Sequence, residues 1–152
     1  TDSLADYLVT TFESQGISRD RLDLVHRRPR SQYLDLIQQS DIALDPFPFN
    51  GHTTTCDALW QGVPVVTLSG EHYVSRFGGS GLATLGLDEL IATTPAQYVD
   101  IAAALAENVD RRRQLRSNLR AMMTASPLLD SAAFTARLEA AYRQMWSDWC
   151  SR

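Results

Sequence analysis

Lysine is absent from this 152-residue chain: all 14 basic residues are arginine. A reaction step that needs a lysine amine must draw it from outside these residues. Cysteine is nearly as scarce, with only Cys56 and Cys150, far apart in sequence. That spacing argues against a disulfide framework and fits a reducing, cytoplasmic setting. No run approaches the roughly 18 apolar residues of a membrane span, and no basic-apolar-small leader opens the chain. An excess of positive charge is also missing. The net charge of −4 is the opposite of what a nucleic-acid partner held by phosphate neutralisation requires. What remains, 44% hydrophobic and 21% charged residues, is the composition of one globular domain with a core.

The apolar pattern alternates between helix and strand. Asp2 or Ser3 can cap a first helix carrying Leu4, Leu8 and Phe12 on one face, with Gly16 as its stop. Leu22-Asp23-Leu24-Val25 reads as a strand. A helix follows from about Ser31, with Tyr33, Leu34 and Ile37 at helical spacing. Ile42 to Asp45 reads as a second strand, Thr54–Gln61 as a short helix and Val65–Leu68 as a third strand. Glu89-Leu90-Ile91 is a candidate fourth. A glycine-punctuated helix is expected around Ser75–Leu85. Thr94-Pro95-Ala96-Gln97 is a helix start, with a cap, a proline at the first helical position and a glutamine three residues after the cap. A further helix carries Leu115, Leu119 and Met122, and a last one places Phe134, Leu138, Ala141, Met145 and Trp149 on one stripe. Alternating strands and helices predict an α/β fold, a Rossmann-like parallel sheet with flanking helices and a helical C-terminus. The few strands and the opening helix read as the later part of such a domain, so residues 1–152 are expected to form a single, N-terminally truncated domain.

Between the second and third strands lies Asp45-Pro46-Phe47-Pro48-Phe49-Asn50-Gly51-His52-Thr53-Thr54-Thr55-Cys56-Asp57-Ala58-Leu59-Trp60. A polar loop with a glycine leads straight into a helix start rich in hydroxyls. Such a start offers unpaired N–H groups and partial positive charge to an anion. In an open parallel sheet, the crevice beyond the carboxyl ends of the strands is where nucleotides sit. The residues alone leave two readings of His52, Thr53 and Thr54: an anion site, or an ordinary N-cap with an exposed histidine beside it. Asp57, one turn into the helix, is by itself a favourable acid against the helix dipole. Arg27-Arg28-Pro29-Arg30 with Tyr33 is either a solvated cluster or a cation-and-ring pair delivered to the same ligand. Phe47 and Phe49 are expected to pack the loop. His26 and His72 have no metal-ligand spacing with His52 or either cysteine, so no metal site is expected. No nucleophile elbow and no catalytic carboxylate pair is recognisable.

The run from Asp41 to Gly70 (DIALDPFPFNGHTTTCDALWQGVPVVTLSG) resembles the donor-binding half of the O-GlcNAc transferase family, inverting enzymes of the two-lobed GT-B architecture. The resemblance extends more weakly over nearly the whole chain. It implies that His52, Thr53 and Thr54 bind the donor pyrophosphate, that Asp57 accepts hydrogen bonds from the ribose, and that the backbone at Arg28 reads the base edge. Animal members carry lysine where Arg30 falls, on the phosphates, and histidine where Tyr33 falls, stacked on uracil. Arginine keeps the charge and tyrosine the stacking face.

The implied reaction is direct transfer of a sugar from a UDP-sugar, with UDP-GlcNAc as the expected donor, to a Ser or Thr hydroxyl with inversion. Family members need no metal or other cofactor for it. No catalytic residue is assigned within these residues, and the acceptor protein is expected to be held by upstream regions, preceded by helical repeats. No nucleic acid or membrane partner is expected. Two alternatives stand beside this reading: a Spindly-like enzyme using GDP-fucose, which shares the loop pattern, and a non-catalytic nucleotide-sugar-binding module.

Overall fold

A computed structural model describes residues 2–151, with side chains from Leu4 onward. The capping side chains of Asp2 and Ser3 thus lie outside the described residues. The chain divides into two compact units, 1–30 and 31–152.

The first unit holds α1 (Asp2–Ser14), a 3-10 turn at Arg19–Arg21 and an extended stretch leading to Arg30. Gly16 ends α1 as expected. It takes a φ of +80°, and the Gly16 and Ile17 amides donate to the carbonyls of Glu13 and Phe12 at 2.9 and 3.0 Å. Left-handed backbone at a helix end is where glycine costs least. The strand expected at Leu22–Val25 does not form. Leu22 and Leu24 are half-buried in alternation, which produced the strand-like pattern, but the segment pairs with no neighbouring strand.

The second unit is built on a three-stranded parallel sheet in the order β1 (Ala43–Leu44), β2 (Val65–Leu68), β3 (Ile91–Ala92). Ala43 faces Val65 and Leu44 faces Val66 across one ladder; Thr67 faces Ile91 and Leu68 faces Ala92 across the other. β2 is central and every residue of it is buried, which explains its unbroken Val-Val-Thr-Leu run. Its crossovers are helical: α3 (Thr53–Trp60) joins β1 to β2, and α4 (Phe77–Thr84) lies between β2 and β3. The fourth-strand candidate resolves differently. Asp88–Leu90 winds into a 3-10 turn, and the strand is the next two residues, Ile91–Ala92.

α2 (Arg30–Gln38), α5 (Pro95–Glu107), α6 (Val109–Ala125) and α7 (Ser131–Cys150) complete the fold. The start of α5 is capped as read from sequence. Thr94 Oγ1 accepts from the Gln97 amide at 3.2 Å, and Gln97 Oε1 accepts from the Thr93 amide at 2.8 Å. The core gathers Leu59, Val63, Val65, Val66 and Leu82 with Leu105, Leu115, Leu119 and Met123. α6 is also pinned by two arginines. Arg116 donates to the carbonyls of Gln38 and Ser40 at the end of α2. Arg120 donates to the Trp60 carbonyl at 3.1 Å and lies 4.9 Å over the Trp60 ring. α7 forms where expected, but its stripe is not core: no residue of it is buried, and Met145, Trp146 and Trp149 are all exposed. An apolar stripe at helical spacing specifies an amphipathic helix; it does not say which surface covers that face.

Candidate functional site

The loop after β1 and the start of α3 occupy the carboxyl edge of the sheet, because β1 and β2 run parallel and α3 returns between them. The loop is held from behind. Asp45, at the end of β1, is buried, and its carboxylate accepts from the Gly51 amide and from the Thr67 hydroxyl, each at 2.7 Å. Asn50, also buried, donates from its amide nitrogen to the Pro46 carbonyl at 3.0 Å, and its backbone amide donates to the Val74 carbonyl at 2.9 Å. Its Oδ1 is buried without a partner.

His52 occupies the N-cap position of α3, but its side chain does not cap. The first intrahelical bond runs from the Cys56 amide to the His52 carbonyl at 3.1 Å. The amides of the preceding helical residues are therefore those that a helix start leaves for a ligand. The Thr55 hydroxyl is spent on the Gly51 carbonyl at 3.0 Å, whereas Thr53 and Thr54 are exposed at the helix mouth. Gly51 is required by close approach. A Cβ there would stand 2.4 Å from Thr54 Oγ1 and 2.7 Å from Thr55 Oγ1.

The crevice has two adjoining parts. One, of about 440 Å³, is lined by Pro46, Phe49, Asn50, Gly51, His52, Thr53 and Thr54. The other, of about 250 Å³, includes Tyr33, Ile37, Pro46, Thr54, Thr55 and Ala58 in its lining. Pro46 and Thr54 belong to both, so the part lined by Tyr33 adjoins the part lined by His52. Asp57 is half-buried on α3, four residues after Thr53 and so on the same helix face. The structure thus brings Tyr33, His52, Thr53 and Thr54 to the crevice, while Asp57, one turn along α3, is outside the lining of both parts. Arg28, in the extended stretch before α2, and Arg30, its first residue, are exposed and belong to the first unit.

Three features were missed from sequence. Phe49 does not pack the loop: it is 63% exposed, lines the crevice and stacks on the His52 ring, with planes 18° apart. Phe77 is tilted against the His52 ring and meets Tyr73 edge-on at 4.5 Å. Beyond Phe77 opens a cavity of about 740 Å³ lined by Ser69, Glu71, Tyr73, Arg76 and Ser80 among others. The third is the buried Asp45 anchor. A lone carboxylate ending an apolar strand was its only sequence signal. Both cysteines are free and exposed; partial desolvation, followed by the adjacent Asp57 charge, pushes the Cys56 thiol above its ordinary pKa. Among the described residues, no group of His, Cys, Asp and Glu is arranged to hold a metal ion, and no helix is long and apolar enough to cross a membrane.

Comparison with known proteins bears on the family and the fold. The profile of glycosyl transferase family 41 matches residues 5–138. The chain is 39% identical over 152 residues to the "probable UDP-N-acetylglucosamine–peptide N-acetylglucosaminyltransferase SPINDLY" of Hordeum vulgare, covering 98% of this chain and 16% of that protein. It is 33% identical over 143 residues to the corresponding SEC protein of Arabidopsis thaliana, covering 93% of this chain and 15% of that one. A mutant of Thermobaculum terrenum O-GlcNAc transferase superposes with a TM-score of 0.89 at 40% identity, over 96% of this chain and 28% of the solved chain. The chain thus spans about one sixth of the curated relatives it matches.

Proposed function

The chain belongs to glycosyl transferase family 41, and on that premise we propose that it is the donor-binding part of a protein O-glycosyltransferase. The full-length enzyme would transfer a sugar from a UDP-sugar, with UDP-GlcNAc as the expected donor, to Ser or Thr with inversion. The observation that carries this reading is the mouth of α3. The first amides of the helix, which a helix start leaves without intrahelical partners, two exposed threonines and His52 converge where the sheet's carboxyl edge opens. In this reading the amides of Thr53 and Thr54 and the His52 ring bind the pyrophosphate, and Asp57 accepts from the ribose hydroxyls. Tyr33 offers its ring to uracil through the smaller part of the crevice. Arg28 and Arg30 are assigned to base edge and phosphate by resemblance alone.

The chemistry asked of these residues is electrostatic. As the sugar leaves, negative charge grows on the departing diphosphate, and fixed donors at a helix N-terminus stabilise it without reorganising. The acceptor hydroxyl and the group that takes its proton belong, in this proposal, to parts of the full-length protein outside these 152 residues. The isolated chain is therefore expected to be silent as a transferase, and the full-length protein to work in the cytoplasm on a protein acceptor.

A second reading, GDP-fucose as donor, rests only on the loop pattern shared with Spindly-like enzymes; the relatives that the chain matches are named for UDP-N-acetylglucosamine. Calorimetric titration of the full-length protein with UDP, UDP-GlcNAc and GDP-fucose separates the two. Binding of UDP and UDP-GlcNAc supports the first, and binding of GDP-fucose alone replaces it with the second. Binding of a donor without transfer to any protein acceptor points to a non-catalytic module.

A further inference from the structure

We propose that Asp45 is a positioning residue of the donor site: its buried carboxylate holds the Gly51 peptide in the orientation that aims the start of α3 into the crevice. The inference rests on the donor-binding reading and adds a residue to it that touches no ligand.

Asp45 is 4% exposed, and it uses every polar group it has. Its amide continues the sheet ladder to the Val66 carbonyl at 2.9 Å, and its carbonyl accepts from the Tyr98 hydroxyl at 3.0 Å. One carboxylate oxygen accepts from the Gly51 amide and the other from the Thr67 hydroxyl, both at 2.7 Å. With both oxygens occupied and the group buried, the carboxylate does not act on a substrate. A carboxylate is also an expensive choice for a place that only needs filling, since removing it from water costs several kcal/mol unless strong hydrogen bonds offset it. Two short, charge-assisted bonds do so here, and one of them ends on the loop.

Gly51 is fixed from both sides. Asp45 takes its N–H, and the Thr55 hydroxyl donates to its carbonyl at 3.0 Å. Two residues later the chain enters the helix whose first amides face the crevice, so a rotation of the Gly51 peptide would turn the His52 and Thr53 groups with it. The packing leaves the anchor no room to move. A Cβ on Gly78 would fall 2.2 Å from the second carboxylate oxygen and 2.4 Å from Thr67 Oγ1, so α4 closes directly on the Asp45–Thr67 pair.

The test uses the full-length protein with Asp45→Ala, Thr67→Val, Thr67→Ser and Gly78→Ala, reading UDP affinity by calorimetry and amide hydrogen exchange at residues 51–55. Thr67→Val and Gly78→Ala are expected to weaken UDP by several-fold, and Asp45→Ala by on the order of tenfold or more. Exchange should accelerate at residues 51–55 and stay at the parental rate in α6. Thr67→Ser, which keeps the hydroxyl, should restore both readouts. A purely structural role would instead lower the melting temperature and raise exchange throughout, leaving the folded protein's UDP affinity unchanged; that result overturns the inference. Should Asp45→Ala fail to fold, the Thr67→Val and Thr67→Ser pair decides by the same readouts. A parent that does not bind UDP overturns the donor reading and this inference together. A parent that binds, with all variants binding equally, overturns the inference alone.

Discussion

The hydroxyl of Tyr98, on α5, donates at 3.0 Å to the backbone carbonyl of Asp45, 53 residues earlier at the end of β1. One bond thereby ties the C-terminal helices to the root of the ligand loop. Burial first, and the Asp45 charge second, push the Tyr98 pKa above its ordinary value of 10.0, so the phenol stays a donor across the physiological range. Tyr98→Phe should cost about 1 kcal/mol in urea unfolding. Because the folded state holds this proton more tightly than the unfolded chain, its contribution is complete below pH 10 and is lost as pH rises through the folded pKa. The parent should therefore lose stability above pH 10 more steeply than Tyr98→Phe; parallel profiles would show that the phenol carries no such linkage.

Gly62, in the turn from α3 to β2, has a φ of +80°, and a Cβ on it would stand 2.8 Å from the Arg116 carbonyl. Gly62→Ala therefore meets both the left-handed penalty, about 1–2 kcal/mol, and a clash with helix backbone. Leu119→Ala, at a site with no exposure, should cost about 2–5 kcal/mol by opening a cavity. Thermal melts check both. A melting temperature unchanged by Gly62→Ala would mean that α6 does not sit against this turn.

Cys56 should be a sluggish nucleophile. Although it is exposed, its pKa, raised by partial desolvation and then by Asp57, leaves little thiolate at neutral pH, and the thiolate is the reactive form. Iodoacetamide should label it more slowly than free glutathione at pH 7.5, and Asp57→Asn should speed the labelling. Mass spectrometry of the peptide containing Cys56 reads the rate; acceleration relative to glutathione in the parent would reverse the sign.

Tyr33 and Asp57 are assigned to different parts of one nucleoside, so their variants should separate. Tyr33→Phe should be nearly silent toward UDP, and Tyr33→Ala should cost about tenfold or more, since a base–aromatic stack is worth about 1–3 kcal/mol. Asp57→Ala should weaken UDP far more than inorganic pyrophosphate. Equal loss for both ligands, or full UDP affinity in Tyr33→Ala, would displace base and ribose from these positions.

The parts of the fold that sequence made legible are those where local chemistry and tertiary context agree. The Val65–Leu68 run is buried on both faces and could be little else than a central parallel strand. Thr94, Pro95 and Gln97 carry a helix start in their own hydrogen bonds. The helix mouth at His52–Thr54 was visible because glycine, hydroxyls and the flanking strands occur together. Where sequence failed, a long-range partner decided. Leu22–Val25 alternates like a strand but has nothing to pair with, and Ile91–Ala92 became β3 only because Thr67 and Leu68 lie alongside. The apolar stripe of α7 named a face without naming its cover. Asp45 stayed hidden because its meaning depends on Gly51, Thr67 and Gly78, which meet only in three dimensions.

The central claim is that the start of α3 holds the diphosphate of a nucleotide-sugar donor, with His52 in contact. Titration calorimetry of the full-length protein and its His52→Ala variant with UDP tests it most directly. One lost hydrogen bond to a charged group, worth about 1.5–3 kcal/mol, predicts a 10- to 100-fold weaker Kd in a variant that remains folded. Parental affinity in a folded His52→Ala protein would contradict the account.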